Sequence, residues 1–169
     1  MAAMDTRMTP ADKPAKFEFL DPGPLVDGEL ELVLAKTVPE DTLCDYVPSY
    51  EFEMRRTGHP EKAGYVSFRV ALTPKLSVFG GHIGYGVEPA HRGRNFAARA
   101  CKLLFPLARK HGITSLLITC GSDNAASRRT CEKIGGCLVR TATIEIQPGV
   151  WRPTCYYEVD LRQKATSLK

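Results

Sequence analysis

Residues 77–98 read SVFGGHIGYGVEPAHRGRNFAA, and the fold turns on this stretch. Its first half, 77–87, is an apolar, strand-like run carrying Gly80, Gly81, Gly84 and Gly86. Glycine weakens a strand, so this density marks a bulge or a close approach by a ligand or another backbone. Its second half is a tight basic turn opening a helix that the periodicity predicts over 92–111. Phe96, Ala100, Leu103, Leu104, Leu107 and Ala108 recur at helical spacing, and Gly112 supplies the stop. Pro106, inside the helix, is expected to bend its last turn. The first turn of a helix leaves N–H groups unpaired and carries about half a positive charge. Gly93, Ala97 and Ala98 keep that turn accessible, while Arg92 and Arg94 add charge. These are the requirements of a phosphate or pyrophosphate cradle. An ordinary strand-to-helix connection with exposed arginines meets them equally well, and the turn matches neither G-x-x-x-x-G-K-[ST] nor G-x-G-x-x-G.

Upstream, 29–38 (ELELVLAKTV) reads as a strand, and Pro39, Glu40 and Asp41 open a short helix expected to reach Tyr46. Residues 50–56 (YEFEMRR) and 63–72 (AGYVSFRVAL) alternate with period two around the turn 57–62, the pattern of an antiparallel hairpin. Downstream, 115–119 (SLLIT) is a short buried strand, and Ser122 or Asp123 caps a helix running to Ile134, ended by Gly135 and Gly136. Residues 137–146 and 154–161 close the chain as two strands joined by a loop. The order predicts a mixed α/β (α+β) domain around one sheet, mostly antiparallel, with 77–87 and 115–119 as its parallel pair.

Bulk properties narrow the function. A chain of 169 residues holds one well-buried core, here expected over 17–169 behind a disordered leader at 1–16. The formal charge of +4 is dispersed, which argues against nucleic acid as a partner, and no apolar run approaches the roughly 18 residues of a membrane span. The leader carries Asp5 and Asp12 and no apolar stretch, unlike a targeting peptide, so a cytoplasmic location is expected. The six cysteines form no C-x-x-C pair and read as reduced thiols, with no metal expected.

A resemblance makes the anion site specific. Residues 82–136, about a third of the chain, resemble the core of the GNAT superfamily of N-acetyltransferases, and in detail a bacterial subgroup of predicted acetyltransferases. The superfamily's Arg/Gln-x-x-Gly-x-Gly/Ala signature falls on Arg92-Gly93-Arg94-Asn95-Phe96-Ala97, its later Asn-x-x-Ser on Asn124 and Ser127. The chain departs from the pattern twice. Asn95 replaces a usual glycine, although asparagine tolerates the left-handed backbone. Cys131 stands where many members place a tyrosine that protonates the departing thiolate.

The resemblance implies a GNAT-like fold with two central strands splayed apart and acetyl-CoA between them. Backbone N–H groups of Arg94, Asn95, Phe96, Ala97 and Ala98 would take the pyrophosphate, beside Arg92 and Gly93. Tyr85 and Val87 would pair with the pantetheine arm, as would Asn124 and Ser127, and the N–H near Tyr85 would stabilise the oxyanion. The acetyl group would pass by direct attack to a primary amine of a small molecule or a protein, with acceptor contacts from 43–50 and 147–157. His82 is a candidate base, beside Glu51, Glu53, Glu88, Tyr157 or a water chain, but reads first as a structural histidine; Cys131 is a candidate acid but reads first as a packed thiol. An acyl-CoA-binding module without turnover is the second reading, an unrelated phosphate-binding domain the third. The resemblance leaves a homodimer open.

Overall fold

The computed structural model describes residues 16–162, so of the expected leader only Lys16 is included, and 163–169 lie outside as well. Strands β1 (Leu25–Asp27), β2 (Leu30–Val38), β3 (Ser49–Arg56), β4 (Lys62–Arg69) and β5 (Ile83–Val87) form one antiparallel sheet in chain order. Strands β6 (Ser115–Gly121), β7 (Cys137–Gln147) and β8 (Val150–Asp160) form a second, with β8 in the middle. Three helices, α1 (Pro74–Val78), α2 (Phe96–Lys110) and α3 (Ala125–Lys133), complete it.

Period-two alternation decides which way the large sheet faces. Tyr50, Phe52 and Met54 on β3 and Val66 and Phe68 on β4 are buried and paired across the strands, while the intervening Glu51, Glu53 and Ser67 turn to the other face. Helix α2 lies on the apolar face, burying Phe96, Ala100, Cys101, Leu104, Leu107 and Ala108. Phe96, Leu104 and Leu107 each contribute roughly 1.5–3 kcal/mol when fully buried, and the alanines less. Arg99 pairs with Asp27 at 2.9 Å and Arg94 with Glu29 at 3.2 Å, tying the helix to the start of the sheet. Exposed pairs of this kind are worth about 0–1 kcal/mol, so the apolar stripe dominates the docking. Pro106 is tolerated because it and Lys102, whose carbonyl loses its usual partner, both face solvent.

Three expected elements differ. Residues 77–87 are not one strand: Thr73 accepts a hydrogen bond from the Leu76 N–H at 3.2 Å and Pro74 opens α1, so a cap overrides the strand preference of Val78 and Phe79. The predicted helix at 40–46 is a closed loop in which Asp41 and Tyr46 exchange backbone hydrogen bonds at 2.9 and 3.0 Å. The Asp41 carboxylate accepts from the Leu43 N–H at 2.9 Å, the local competition that keeps aspartate out of helices. The last strand starts at Val150 because Gln147 pairs with Val150 across a tight turn. Pro153 fits there because β6 pairs with β8 only from Thr154 onward.

The two sheets meet at one point. Gly81 bridges to Ile118, the His82 N–H donates to the Leu117 carbonyl at 2.8 Å, and the Leu117 N–H donates to His82 Nδ1 at 2.9 Å. Beyond that antiparallel bridge no ladder joins β5 to β6 among the described residues, so the one sheet expected is two, and the segments expected as its parallel pair diverge unpaired. Gly81 has φ +64°, and a Cβ there would lie 2.3 Å from the Leu117 carbonyl oxygen. Gly81→Ala should therefore cost about 2 kcal/mol or more, combining backbone strain with a clash. Gly112→Ala, with φ +78° and open space around it, should cost only the strain; urea denaturation of the two variants separates these contributions.

Two histidines make stability depend on pH. The Tyr50 hydroxyl reaches His111 Nε2 at 2.8 Å and accepts from the Leu20 N–H at 2.7 Å, and Phe17 stacks on the imidazole at 5.5 Å. A helix C-terminus favours a cationic imidazole, yet burial wins and lowers the His111 pKa. Burial, with a smaller contribution from Arg69, likewise lowers that of His82. The unfolded chain then binds more protons below the ordinary imidazole value of about 6.5. Stability should fall as pH drops through 6.5 toward 5, a range above the carboxylate titrations, and His111→Phe should flatten that slope in thermal unfolding.

Candidate functional site

The register of β5 decides what its free edge presents. The His82 carbonyl accepts from the Arg69 N–H and the Glu88 N–H donates to the Ala63 carbonyl, so even-numbered residues turn their backbone groups toward β4. Ile83, Tyr85 and Val87 consequently point theirs into the gap. A 3-10 turn, Pro89–His91, then carries the chain to α2. The helix begins at Phe96 and not at Arg92, because Gly93 at φ +82° and Asn95 at φ +58° place left-handed residues before it. Asn95 thus takes the conformation expected of the glycine it replaces. No side chain caps α2, which leaves its first-turn N–H groups available.

These features wall a cleft of about 570 Å³ closed on its far side by α3. The expected residues Tyr85, Val87, Arg92, Gly93, Asn95, Phe96, Ala97, Asn124 and Ser127 all line it. So do Gly86, His91, Ala126, Arg129, Thr130 and Lys133. Among the described residues Arg92, Arg129 and Lys133 face the space and no carboxylate does, so this wall favours an anion by charge as well as by helix dipole. His91 Nδ1 is buried with no hydrogen-bond partner among the described residues, and such an orphan suits a ligand that supplies one. Sequence reasoning missed Arg129 and Lys133; their i, i+4 spacing, which puts them on one face of α3, was the available signal. His91 left no signal, since its orphaned atom arises only from packing, with its ring against Phe96.

Other expected residues stand elsewhere. The Arg94 guanidinium turns away to Glu29, so its charge is compensated outside the cleft. Ala98 is buried beneath the helix, where its small side chain lets α2 approach the sheet. Arg92 Nε donates to the Val87 carbonyl at 3.2 Å, occupying one group assigned to the pantetheine arm. Asn124 Oδ1 caps α3 by accepting from the Ser127 N–H at 3.0 Å. The Lys133 ammonium rests on Asn95 Oδ1, fixing α3 to the start of α2.

His82 and Cys131 do not line the cleft. The Nδ1 lone pair of His82 is engaged by the Leu117 N–H, leaving Nε2 to carry the proton. Cys131 is fully buried behind Tyr85, its Sγ 3.9 Å from the Tyr85 hydroxyl. The Tyr85 hydroxyl makes a 2.7 Å hydrogen bond with Ser127 Oγ, and burial raises its pKa well above the usual phenol value. Donation to Cys120, followed by burial, keeps Cys131 protonated far above the usual thiol range. The hydrogen bond from Cys131, helped by Ser127 and Arg128, pulls Cys120 down to about 7.

The model of the family described as acetyltransferase (GNAT) domain matches residues 10–136. No curated protein matches the sequence. Among solved structures the chain is similar to yncA of Salmonella typhimurium, solved with its cofactor acetyl-CoA. That match has 21% identity and TM-score 0.54 and covers 70% of this chain and 68% of that one. It is also similar to the microcin C7 self-immunity acetyltransferase MccE in complex with acetyl-CoA and AMP, with 22% identity, TM-score 0.55 and coverages of 66% and 61%. A third, from Salmonella typhimurium, modifies the N-terminal serine of ribosomal protein L7/L12, with 22% identity, TM-score 0.54 and coverages of 66% and 63%. The chain thus spans less than two thirds of the latter two, and the likenesses establish the fold.

Asn95 offers a direct check on the cleft's entrance. Asn95→Gly should fold with little loss, whereas Asn95→Val, with a β-branched residue forced to φ +58°, should lose about 1–2 kcal/mol in chemical denaturation.

Proposed function

Because the chain belongs to the GNAT acetyltransferase family, we propose that it moves the acetyl group of acetyl-CoA directly to a primary amine. The observation that carries this reading is the acid-free cleft between the outward edge of β5 and the uncapped start of α2. The pyrophosphate takes the N–H groups of Phe96, Ala97 and Ala98, with Arg92, Arg129 and Lys133 adding charge. The pantetheine amides follow β5 in the manner of a neighbouring strand, and the Tyr85 N–H faces the thioester oxygen. That N–H is held in place by the ladder to β4, so it stabilises the oxyanion without reorganising. The relatives solved with acetyl-CoA support this ligand.

The amine nitrogen attacks the thioester carbon, the C–S bond breaks, and the proton that the nitrogen sheds ends on the departing thiolate. Ser127, on the cleft wall and hydrogen-bonded to the Tyr85 hydroxyl, relays that proton in place of the buried Cys131. His82 holds the vertex from which the strands diverge. The domain acts as a single unit and in the cytoplasm. Among the described residues no helix is long and apolar enough to cross a membrane. The alternative, a binding module without turnover, draws on the lack of any carboxylate on the cleft wall to serve as a base.

Calorimetry with acetyl-CoA and a thiol-release assay over an amine panel test both. Wild-type protein should bind and turn over. Ala97→Glu should abolish binding while the fold persists, and Arg129→Ala with Lys133→Ala should weaken it about tenfold or more, increasingly at low salt. Unchanged affinity in Ala97→Glu would show the pyrophosphate to be misplaced. Binding without thiol release from any amine favours the module.

A further inference from the structure

A second pocket, of about 200 Å³, opens beside the vertex and is lined by Asp45 and Tyr46 of the loop before β3, by Ser49 at the start of β3, by Arg69 and by Lys75 and Leu76 of α1. Arg69 ends β4 on the face opposite the α2 core, in line with Ser67 and Tyr65. Its guanidinium is half-buried and donates to the Gly81 carbonyl at 3.1 Å. A guanidinium has five donors, yet no carboxylate pairs with this one among the described residues. Glu51, whose charge acts on it, is bonded to Lys36 at 3.3 Å. Lys75 likewise has no ion pair among the described residues, and Asp45 is the acid on the wall, so the pocket holds two cations against one anion. Burial lowers the pKa of Arg69, the mark of a charge short of compensation.

Position ties this pocket to the chemistry. A Cβ on Gly84 would lie 3.9 Å from both terminal nitrogens of Arg69, so the guanidinium sits over that bare stretch of β5. Gly84 adjoins Tyr85, about 3.3 Å along the strand. An anion on Arg69 and an amine at the thioester would then stand a few ångströms apart, the spacing inside an α-amino acid. The volume equals about six or seven waters at about 30 Å³ each, room for a small molecule. We propose that the acceptor is a small free amino acid whose carboxylate is held by Arg69, bidentately, with Lys75 beside it.

This rests on the acetyl-CoA reading above, and the test keeps the two apart. Thiol release by the full chain with acetyl-CoA is compared across L-amino acids, their amides and short seryl peptides. Removing the carboxylate lowers an amine's pKa and supplies more free base, so a preference for the acids cannot come from basicity. The acids should exceed their amides in kcat/KM by about 10–100-fold, the scale of a charge-assisted pair. Arg69→Gln should raise KM for the acids by a similar factor and erase the preference, leaving acetyl-CoA affinity unchanged by calorimetry. Because Arg69 also supports Gly81, the more exposed Lys75→Ala serves as the second variant, with a smaller rise in KM at unchanged kcat. Amides or peptides used as well as acids, or no amino acid used by protein that binds acetyl-CoA, would overturn the proposal and leave the acetyl-CoA reading standing. Failure of the wild-type chain to bind acetyl-CoA overturns both.

Discussion

The rest of the structure depends on the reciprocal pair of hydrogen bonds between His82 and Leu117, made possible by the absence of a side chain on Gly81. One bond uses the backbone of His82 and the other its imidazole, so a single residue closes the point where two sheets touch. Past that point β5 keeps its ladder to β4 but has none to β6. Ile83, Tyr85 and the Val87 N–H therefore present backbone groups to the cleft, where water or a ligand must satisfy them, while the Val87 carbonyl is taken by Arg92. The cleft follows from that divergence, as does the second pocket beside its apex.

The cleft and the pocket complement each other in charge and in neighbours. The cleft combines helix dipole with Arg92, Arg129 and Lys133; the pocket combines Arg69 with Lys75. Between them runs β5, with Tyr85 and Val87 presented to one side and Gly84 and Gly86 to the other. Tyr65 lies across Gly86 and Arg69 beside Gly84, so the glycines make room on the side of the second pocket while the larger residues pack on the side of the cleft. The same alternation that builds an ordinary amphipathic strand here separates the cleft from the pocket.

Much of the site was legible because it depends on local chemistry. The bare helix start, the small residues at 93 and 97 and the matched Asn124 and Ser127 are sequence-local features, and the cleft gathers them. The positive φ of Asn95 is also local, since few residues tolerate that conformation. What misled was competition between local signals: Thr73 capping α1 against the strand preference of residues 77–79, and the Asp41 side chain against a helix at 40–46.

The sequence by itself determined the element types of the long amphipathic segments, the family resemblance and the small, basic residues at the start of α2, because each is written in residues within one or two turns of each other. Only the tertiary structure decided which of those residues face the cleft. It turned Arg94 out to Glu29, 65 positions away, buried Cys131 behind Tyr85, and engaged His82 with Leu117, 35 positions on. Among the described residues it also left Arg69 without an ion pair and His91 Nδ1 without a hydrogen-bond partner. Side-chain direction and compensation of charge depend on neighbours far along the chain, and no local pattern encodes where those neighbours arrive.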